Sequence, residues 1–266
     1  MWVDVNGGRV YVEVTGSGAP ILLIHGWPLD HRVFSPQVGA FGEHLTVIVY
    51  DRRGFGRSEA PPDLRLELDD IDRVLDALGH ESVHLLGMSQ GGRIALRYCA
   101  TRPERIRSLI LQGAVVDGLE VDDNETDRVP VAEFATLTRD GKLNEVRTRW
   151  LNHPMMQLDS IHTEAARLLS GIVAEYSGRD LIEFEPGNYE FSLDVLAALS
   201  NFDRPVLIVT GAGETEARRK HAAELLRRIP MSAEVILADS GHLSNLTEPD
   251  RFNQAVTDFV REAEEG

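Results

Sequence analysis

A serine with a glycine two positions away on either side, Gly87-Met88-Ser89-Gln90-Gly91, stands between an apolar run (Val83, Leu85, Leu86) and a stretch of helical composition, Arg93 to Tyr98. A serine at a strand-to-helix junction can sit on a sharp, strained turn that lifts its hydroxyl above a sheet, the glycines keeping neighbouring backbone clear. That is a nucleophile for acyl transfer. The hydroxyl is weak at its ordinary pKa, so the chemistry needs a base, a carboxylate to orient the base, and N–H donors for the oxyanion. A plain turn reads the same over five residues, so the weight falls on whether those partners exist.

Nine histidines compete for the role of base. His25 begins a turn, His31 and His44 occupy polar loops, His80 follows a helix end, His84 lies on the apolar strand, and His153, His162 and His221 fall in or near helices; all eight read as structural or surface groups. His242 differs, because it follows the last strand in a short Ser-Gly loop. Glu214 and Asp117 each lie just beyond a strand, and both are open as the orienting carboxylate; Glu216 and Asp239 read as surface groups. For the oxyanion, the Gln90 N–H at the start of the helix is one donor. The tight turn His25-Gly26-Trp27-Pro28 offers the Trp27 N–H as the other, unless that turn is merely structural.

The elements that must position these groups follow from the pattern of apolar residues. Trp2 to Val14 alternates about Asn6-Gly7-Gly8 and predicts a β-hairpin. Residues 20–24 and 45–50 read as strands buried on both faces, and 66–79 as a helix closed by Gly79. The strand before Ser89, then 106–111, 206–209 and 233–237 complete a sheet, with helices from Ala217 to Ile229 and from Pro249 to about Glu262. Between them, from 115 to 201, apolar residues recur only at helical spacings. The expectation is an α/β fold: residues 1–114 and 202–266 form a mostly parallel sheet flanked by helices, 115–201 is a helical insertion, and function sits at the carboxyl ends of the strands.

Composition limits the partners. A net charge of −16 without clustered Lys or Arg excludes nucleic acid and disfavours anionic membranes. No apolar run approaches the roughly 20 residues of a membrane helix, and the N-terminus lacks signal-peptide character, so a cytoplasmic location is the default. Cys99, the single cysteine, reads as core. The acidic stretch Leu119 to Asp127 reads as a solvated face.

Together His25-Gly26-Trp27-Pro28, the loop from Asp51 to Ser58, Gly87-Met88-Ser89-Gln90-Gly91-Gly92 and Gly241-His242 resemble the α/β-hydrolase family over nearly the whole chain. The run from Gly241 to Phe252 is similar, over a short length, to the 3-oxoadipate enol-lactone hydrolases and related small esterases. The resemblance implies an α/β-hydrolase fold with a helical cap, Ser89 as nucleophile, His242 as base and Glu214 as acid, although the family more often places an aspartate there. Asp117 remains the alternative. The implied activity is a cofactor-free, metal-free serine hydrolase that cleaves a small carboxylic ester or lactone through an acyl-enzyme, as a monomer or homodimer. Two other readings stay open: a perhydrolase, haloperoxidase-type or carbon–carbon bond hydrolase with the same triad, and a small-molecule receptor on this fold. A haloalkane dehalogenase would need a carboxylate in place of Ser89. Met88 at the turn and Trp150, Met155, Met156 and Phe184 in the insertion are candidates for pocket wall, and Arg147 and Arg149 for binding an anionic substrate.

Overall fold

The computed structural model describes residues 1–121, 128–184 and 192–266. Part of the acidic stretch, residues 122–127, lies outside the described residues. Eight strands form one sheet: β1 (Trp2–Val5), β2 (Gly8–Thr15), β3 (Ala19–Ile24), β4 (Leu45–Tyr50), β5 (Val83–Met88), β6 (Ile106–Gln112), β7 (Val206–Gly211) and β8 (Ser232–Leu237), in the order β1-β2-β4-β3-β5-β6-β7-β8. The hairpin pairs antiparallel, β2 joins β4 antiparallel, and every later pair is parallel. Five consecutive parallel pairings bring the carboxyl ends of β3 to β8 to one edge, where the candidate groups are carried.

The expected strands form because their residues can be buried on both faces. All six residues of β5 and of β7 are buried, whereas β8, at the edge, is largely exposed. One face is covered by α2 (Glu67–Ala77), α3 (Gln90–Thr101) and α9 (Glu216–Arg228), the other by α1 (Ser35–Phe41) and α11 (Pro249–Glu265), with the short α10 (Ser244–Thr247) just before it. Helix α2 opens with Glu67, Asp69 and Asp70, acids that suit the positive end of a helix dipole. Two of them are buried against arginines: Glu67 holds Arg52 at 2.7 Å and Asp70 holds Arg53 at 2.6 Å. Breaking either pair would strand a buried charge at a cost of about 3–5 kcal/mol, so the loop after β4 is fixed to α2.

Between β6 and β7 the described residues contain only helices: α4 (Val131–Arg139), α5 (Leu143–Leu151), α6 (Thr163–Glu175), α7 (Arg179–Ile182) and α8 (Val195–Leu199), with a short 3₁₀ turn at Pro154–Met156. They do not behave as one block. Phe134, Trp150, Met155, Leu169 and Leu181, from α4 to α7, join the apolar cluster of the α1/α11 face. Val195, Leu196 and Leu199 of α8, with Phe202, pack into the cluster on the α3 side. Among the described residues no helix is long and apolar enough to cross a membrane. Cys99 is buried in the core, where burial pushes its thiol pKa up and leaves it unreactive.

Candidate active site

Strand β5 ends at Met88 and the chain turns into α3 through Ser89, whose φ of 54° and ψ of −115° make it the one non-glycine in the left-handed region among the described residues. Such strain persists only where the surroundings enforce it. Here a Cβ on Gly91 would overlap the Ile24 carbonyl, and one on Gly87 would come 2.6 Å from the Gly91 oxygen, so α3 packs against the end of β3 and against β5 only with glycine at these two places. The Ser89 amide donates to the Gln112 carbonyl at 2.7 Å, which ties the turn to β6.

His242 lies beyond β8, buried, with its Nδ1 2.7 Å from Glu214 Oε2. The other oxygen, Oε1, accepts the Thr215 amide at 2.7 Å. Burial pushes the Glu214 carboxyl up, but the charge and hydrogen bond of His242 and the Thr215 amide outweigh it and hold the pKa below the ordinary range. Asp117 is placed elsewhere: its oxygens accept from Arg97 at 2.6 and 3.0 Å, and Arg93 approaches to 3.3 Å. Two neighbours of the His–Glu pair carry no sequence signal as site residues. Gly113, at φ 55°, gives the pair its space, since a Cβ there would lie 2.5 Å from His242 Cε1 and 3.0 Å from Glu214 Oε2. Gln112 donates through Nε2 to the His242 carbonyl at 2.9 Å while its own carbonyl holds Ser89, so one residue of β6 spans both arms.

The turn after β3 faces the serine, because a Cβ on Gly26 would lie 3.1 Å from Ser89 Cβ and 3.7 Å from its Oγ. His25 fixes the start of that turn. Its Nδ1–H donates to the Gly26 carbonyl at 2.9 Å, and its Nε2 accepts the Arg52 amide at 3.0 Å, which leaves the ring neutral and fully used. Burial, with the Arg52 charge beside it, lowers the His25 pKa to about 4. The backbone N–H groups of Trp27 and Gln90 have no hydrogen-bond acceptor among the described residues. Beneath Gln90, the buried Arg52 guanidinium donates to its side-chain oxygen at 2.8 Å.

The insertion covers this turn with aromatic rings. Trp27 meets Trp150 edge-on at 4.7 Å, stacks near Phe134 at 6.2 Å and meets Tyr176 at 5.8 Å; its indole N–H donates to Asp180 at 2.7 Å. Met88, Trp150, Met155 and Met156 are packed in the same apolar cluster, with Phe184 against it. They line neither opening beside the site. One opening, about 440 Å³, is bordered by Gln157, Asp159 and His162 on the insertion and by Gly213, Gly241 and His242 on the core. The other, about 300 Å³, is bordered by Arg52, Phe55, Gln90 and Asp180. The two arginines expected to suit an anion are engaged otherwise: Arg149 pairs with Glu133 at 2.7 Å, and Arg147 donates to the Tyr176 carbonyl at 2.6 Å.

Among the described residues one group could converge on a metal ion, Asp30, His31 and Asp51, with ligand atoms within 4.8 Å of one another. Its carboxylates are already occupied. Asp30 is bonded to the Arg32 side chain at 2.7 Å, and Asp51 accepts from His31 Nδ1 at 2.6 Å and the Arg57 amide at 2.7 Å.

Comparison with known proteins agrees with this architecture. The chain is 28% identical to the AB hydrolase superfamily protein YisY of Bacillus subtilis, over 94% of both chains. An esterase from Thermogutta terrifontis superposes with a TM-score of 0.85 at 24% identity, covering 99% of this chain and 98% of that one. The enol-lactonase from Burkholderia xenovorans superposes at 0.81 with 22% identity, covering 98% of this chain and all of the other. The profile of the alpha/beta hydrolase fold matches residues 19–249, and with its eight-stranded, mostly parallel sheet the chain belongs to the α/β-hydrolase family.

Proposed function

We propose that the protein is a serine hydrolase that cleaves small, uncharged carboxylic esters or lactones through an acyl-enzyme. Ser89 Oγ attacks the carbonyl carbon while His242 Nε2 takes its proton, and Glu214 holds the Nδ1–H so that the imidazolium is oriented and stabilised. The carbonyl oxygen becomes an oxyanion held by the Trp27 and Gln90 amides. Collapse expels the alkoxide, which leaves with the His242 proton, and water attacks the acyl-enzyme by the same route.

The observation that carries this reading is the buried 2.7 Å contact of His242 Nδ1 with Glu214, on the same strand-end edge as a strained Ser89. The receptor reading is separated from this one by turnover. The preference for uncharged substrates is supported by the surroundings: Trp27, Phe134 and Trp150 present aromatic rings, and Arg52, Arg147 and Arg149 are each engaged by other groups. The test is turnover of p-nitrophenyl acetate, p-nitrophenyl butyrate and γ-lactones. Wild type turns over repeatedly, and Ser89→Ala is slower by about 10⁴-fold or more. Wild-type binding without turnover would leave the receptor reading; equal rates for the Ser89→Ala variant would end the serine mechanism.

A further inference from the structure

One buried carboxylate at the seam between insertion and core takes no part in the steps above. Asp180, the second residue of α7, is buried, and its oxygens are divided between two donors. Oδ2 accepts the Trp27 indole N–H at 2.7 Å and Oδ1 accepts the Tyr176 hydroxyl at 2.5 Å. Tyr176 and Asp180 belong to the insertion, while Trp27 belongs to the core turn that faces Ser89. The Trp27 ring is also enclosed by Phe134, Trp150 and Tyr176, all from the insertion. An indole gripped on its faces and at its N–H cannot rotate about χ1 or χ2 without breaking a charge-assisted hydrogen bond. Its Cα is restrained in turn, which limits how far the adjoining peptide can tilt.

The other amide of the pair is braced in a similar way from below. Arg52 donates to the Gln90 side-chain oxygen, to the His25 carbonyl and to Glu67, so a buried charge of the core supports the Gln90 side of the site. The Trp27 side has its buried charge too, but it comes from the insertion. Retaining a carboxylate there is costly, since burial pushes its pKa above the usual range against the pull of the Tyr176 and Trp27 bonds. An apolar residue would pack as well if packing were its only task.

We propose that Asp180 is a positioning residue: by holding the Trp27 indole it aims the Trp27 backbone N–H at the oxyanion, so that seating of the insertion completes the oxyanion hole. The proposal rests on Ser89 acyl transfer as described above. Because the amide is used chiefly in the transition state, misaiming it lowers kcat and leaves KM nearly unchanged. Removing an oxyanion donor outright costs about 10²–10³-fold. A misaimed one should cost about 10–100-fold.

The experiment measures kcat and KM for p-nitrophenyl acetate, thermal midpoint, and affinity for a trifluoromethyl ketone analogue of the tetrahedral intermediate, in wild type, Asp180→Leu, Asp180→Asn, Trp27→Phe and the Trp27→Phe/Asp180→Leu double variant. The expected result is a loss of about 10–100-fold in kcat for Asp180→Leu, matched by the loss in analogue affinity, with KM within about twofold. Asp180→Asn should retain most of the activity, since its amide oxygen can still accept the indole N–H while the Tyr176 hydroxyl turns to accept from the amide nitrogen. Trp27→Phe removes the donor instead of the acceptor, so it tests the link even if Asp180→Leu does not fold. Its losses and those of Asp180→Leu should not add in the double variant. Lowered thermal midpoints with wild-type kcat in Asp180→Leu and Trp27→Phe would overturn the proposal and leave the hydrolase reading intact. Wild-type activity in Ser89→Ala would instead overturn the hydrolase reading, and the positioning role with it.

Discussion

At the carboxyl edge of the sheet, the polar side chains of the proposed site are held by groups that are themselves held, whereas the insertion meets Trp27 mostly through rings, with the Asp180 carboxylate among them. Glu214 is fixed by the Thr215 amide before it meets His242, Gln112 links the backbone of both arms, and Arg52 is locked by Glu67 before it reaches Gln90. On the other side, Trp150 and Phe134 touch Trp27 through ring edges and faces, and Met155 and Met156 fill space behind them. Hydrogen-bonded pairs specify angles to within tens of degrees, while apolar contacts specify only volume. Under the proposed mechanism the difference implies a division of labour in which the core would set the rate of acyl transfer and the insertion what can be placed there, with Asp180 as the point where the second reaches into the first.

The largest test of that division sets two carboxylates of the core against each other. Glu214→Ala should lower kcat by about 10³–10⁴-fold, the scale at which a triad acid is lost. Asp117→Ala should leave kcat within a few-fold of wild type and lower stability instead, because it removes the carboxylate that accepts two hydrogen bonds from the buried Arg97 guanidinium. Steady-state kinetics and urea denaturation separate the two. A collapse of kcat in Asp117→Ala with an active Glu214→Ala would reverse the assignment.

Gly113→Ala sharpens the same comparison with a single methyl group. The new Cβ would meet His242 Cε1 at 2.5 Å and Glu214 Oε2 at 3.0 Å on a backbone at φ 55°, so either the pair parts or the strand end moves. The expected outcome is a loss of about 10–100-fold in kcat together with about 1–3 kcal/mol of stability. A methyl group added at an equally tight place in the insertion, where volume alone is specified, should change KM before kcat. If Gly113→Ala turned over at the wild-type rate, the core would be looser than its hydrogen bonds indicate.

What could be read in the sequence follows the same boundary. The strands were legible because residues buried on both faces of a parallel sheet must be apolar in unbroken runs, as in Leu45 to Tyr50, and Ser89 because only a glycine-flanked serine fits that turn. His242 and Glu214 stood out by lying just past strands, although nothing in their order said that Asp117 would be claimed by Arg97. Gly113 was invisible, since its need for no Cβ comes from a histidine 129 positions away along the chain. Asp180 was equally hidden: in Ser177-Gly178-Arg179-Asp180 it reads as one more solvated acid, and only the fold shows that it is buried against Trp27. Helical spacing identified the insertion, but not that α8 would leave its other helices and pack on the α3 side, because a five-residue, wholly apolar helix carries no address.

The mildest expected effect at neutral pH concerns His25, which measures how tightly the core end of the site is locked. Burial, and then the Arg52 charge, lower its pKa from 6.5 to about 4, so between those values the unfolded chain binds a proton that the folded protein refuses. Stability is therefore complete above about pH 6.5 and is lost as the pH falls through the window down to about 4, by about 3 kcal/mol for this group. His221, buried behind Val116 and lowered to about 4 by burial and the Arg218 and Arg93 charges, adds to the loss over the same window. Urea midpoints should be flat above pH 7 and decline below 6.5. In an NMR titration the His25 ring proton should stay at its neutral shift until near pH 4. A His25 that titrates close to 6.5 in the folded protein would mean that the Gly26 and Arg52 contacts open readily. The Trp27 amide would then depend on the insertion alone for its aim, and the loss in kcat for Asp180→Leu should exceed the range set by a hole already half-built by the core.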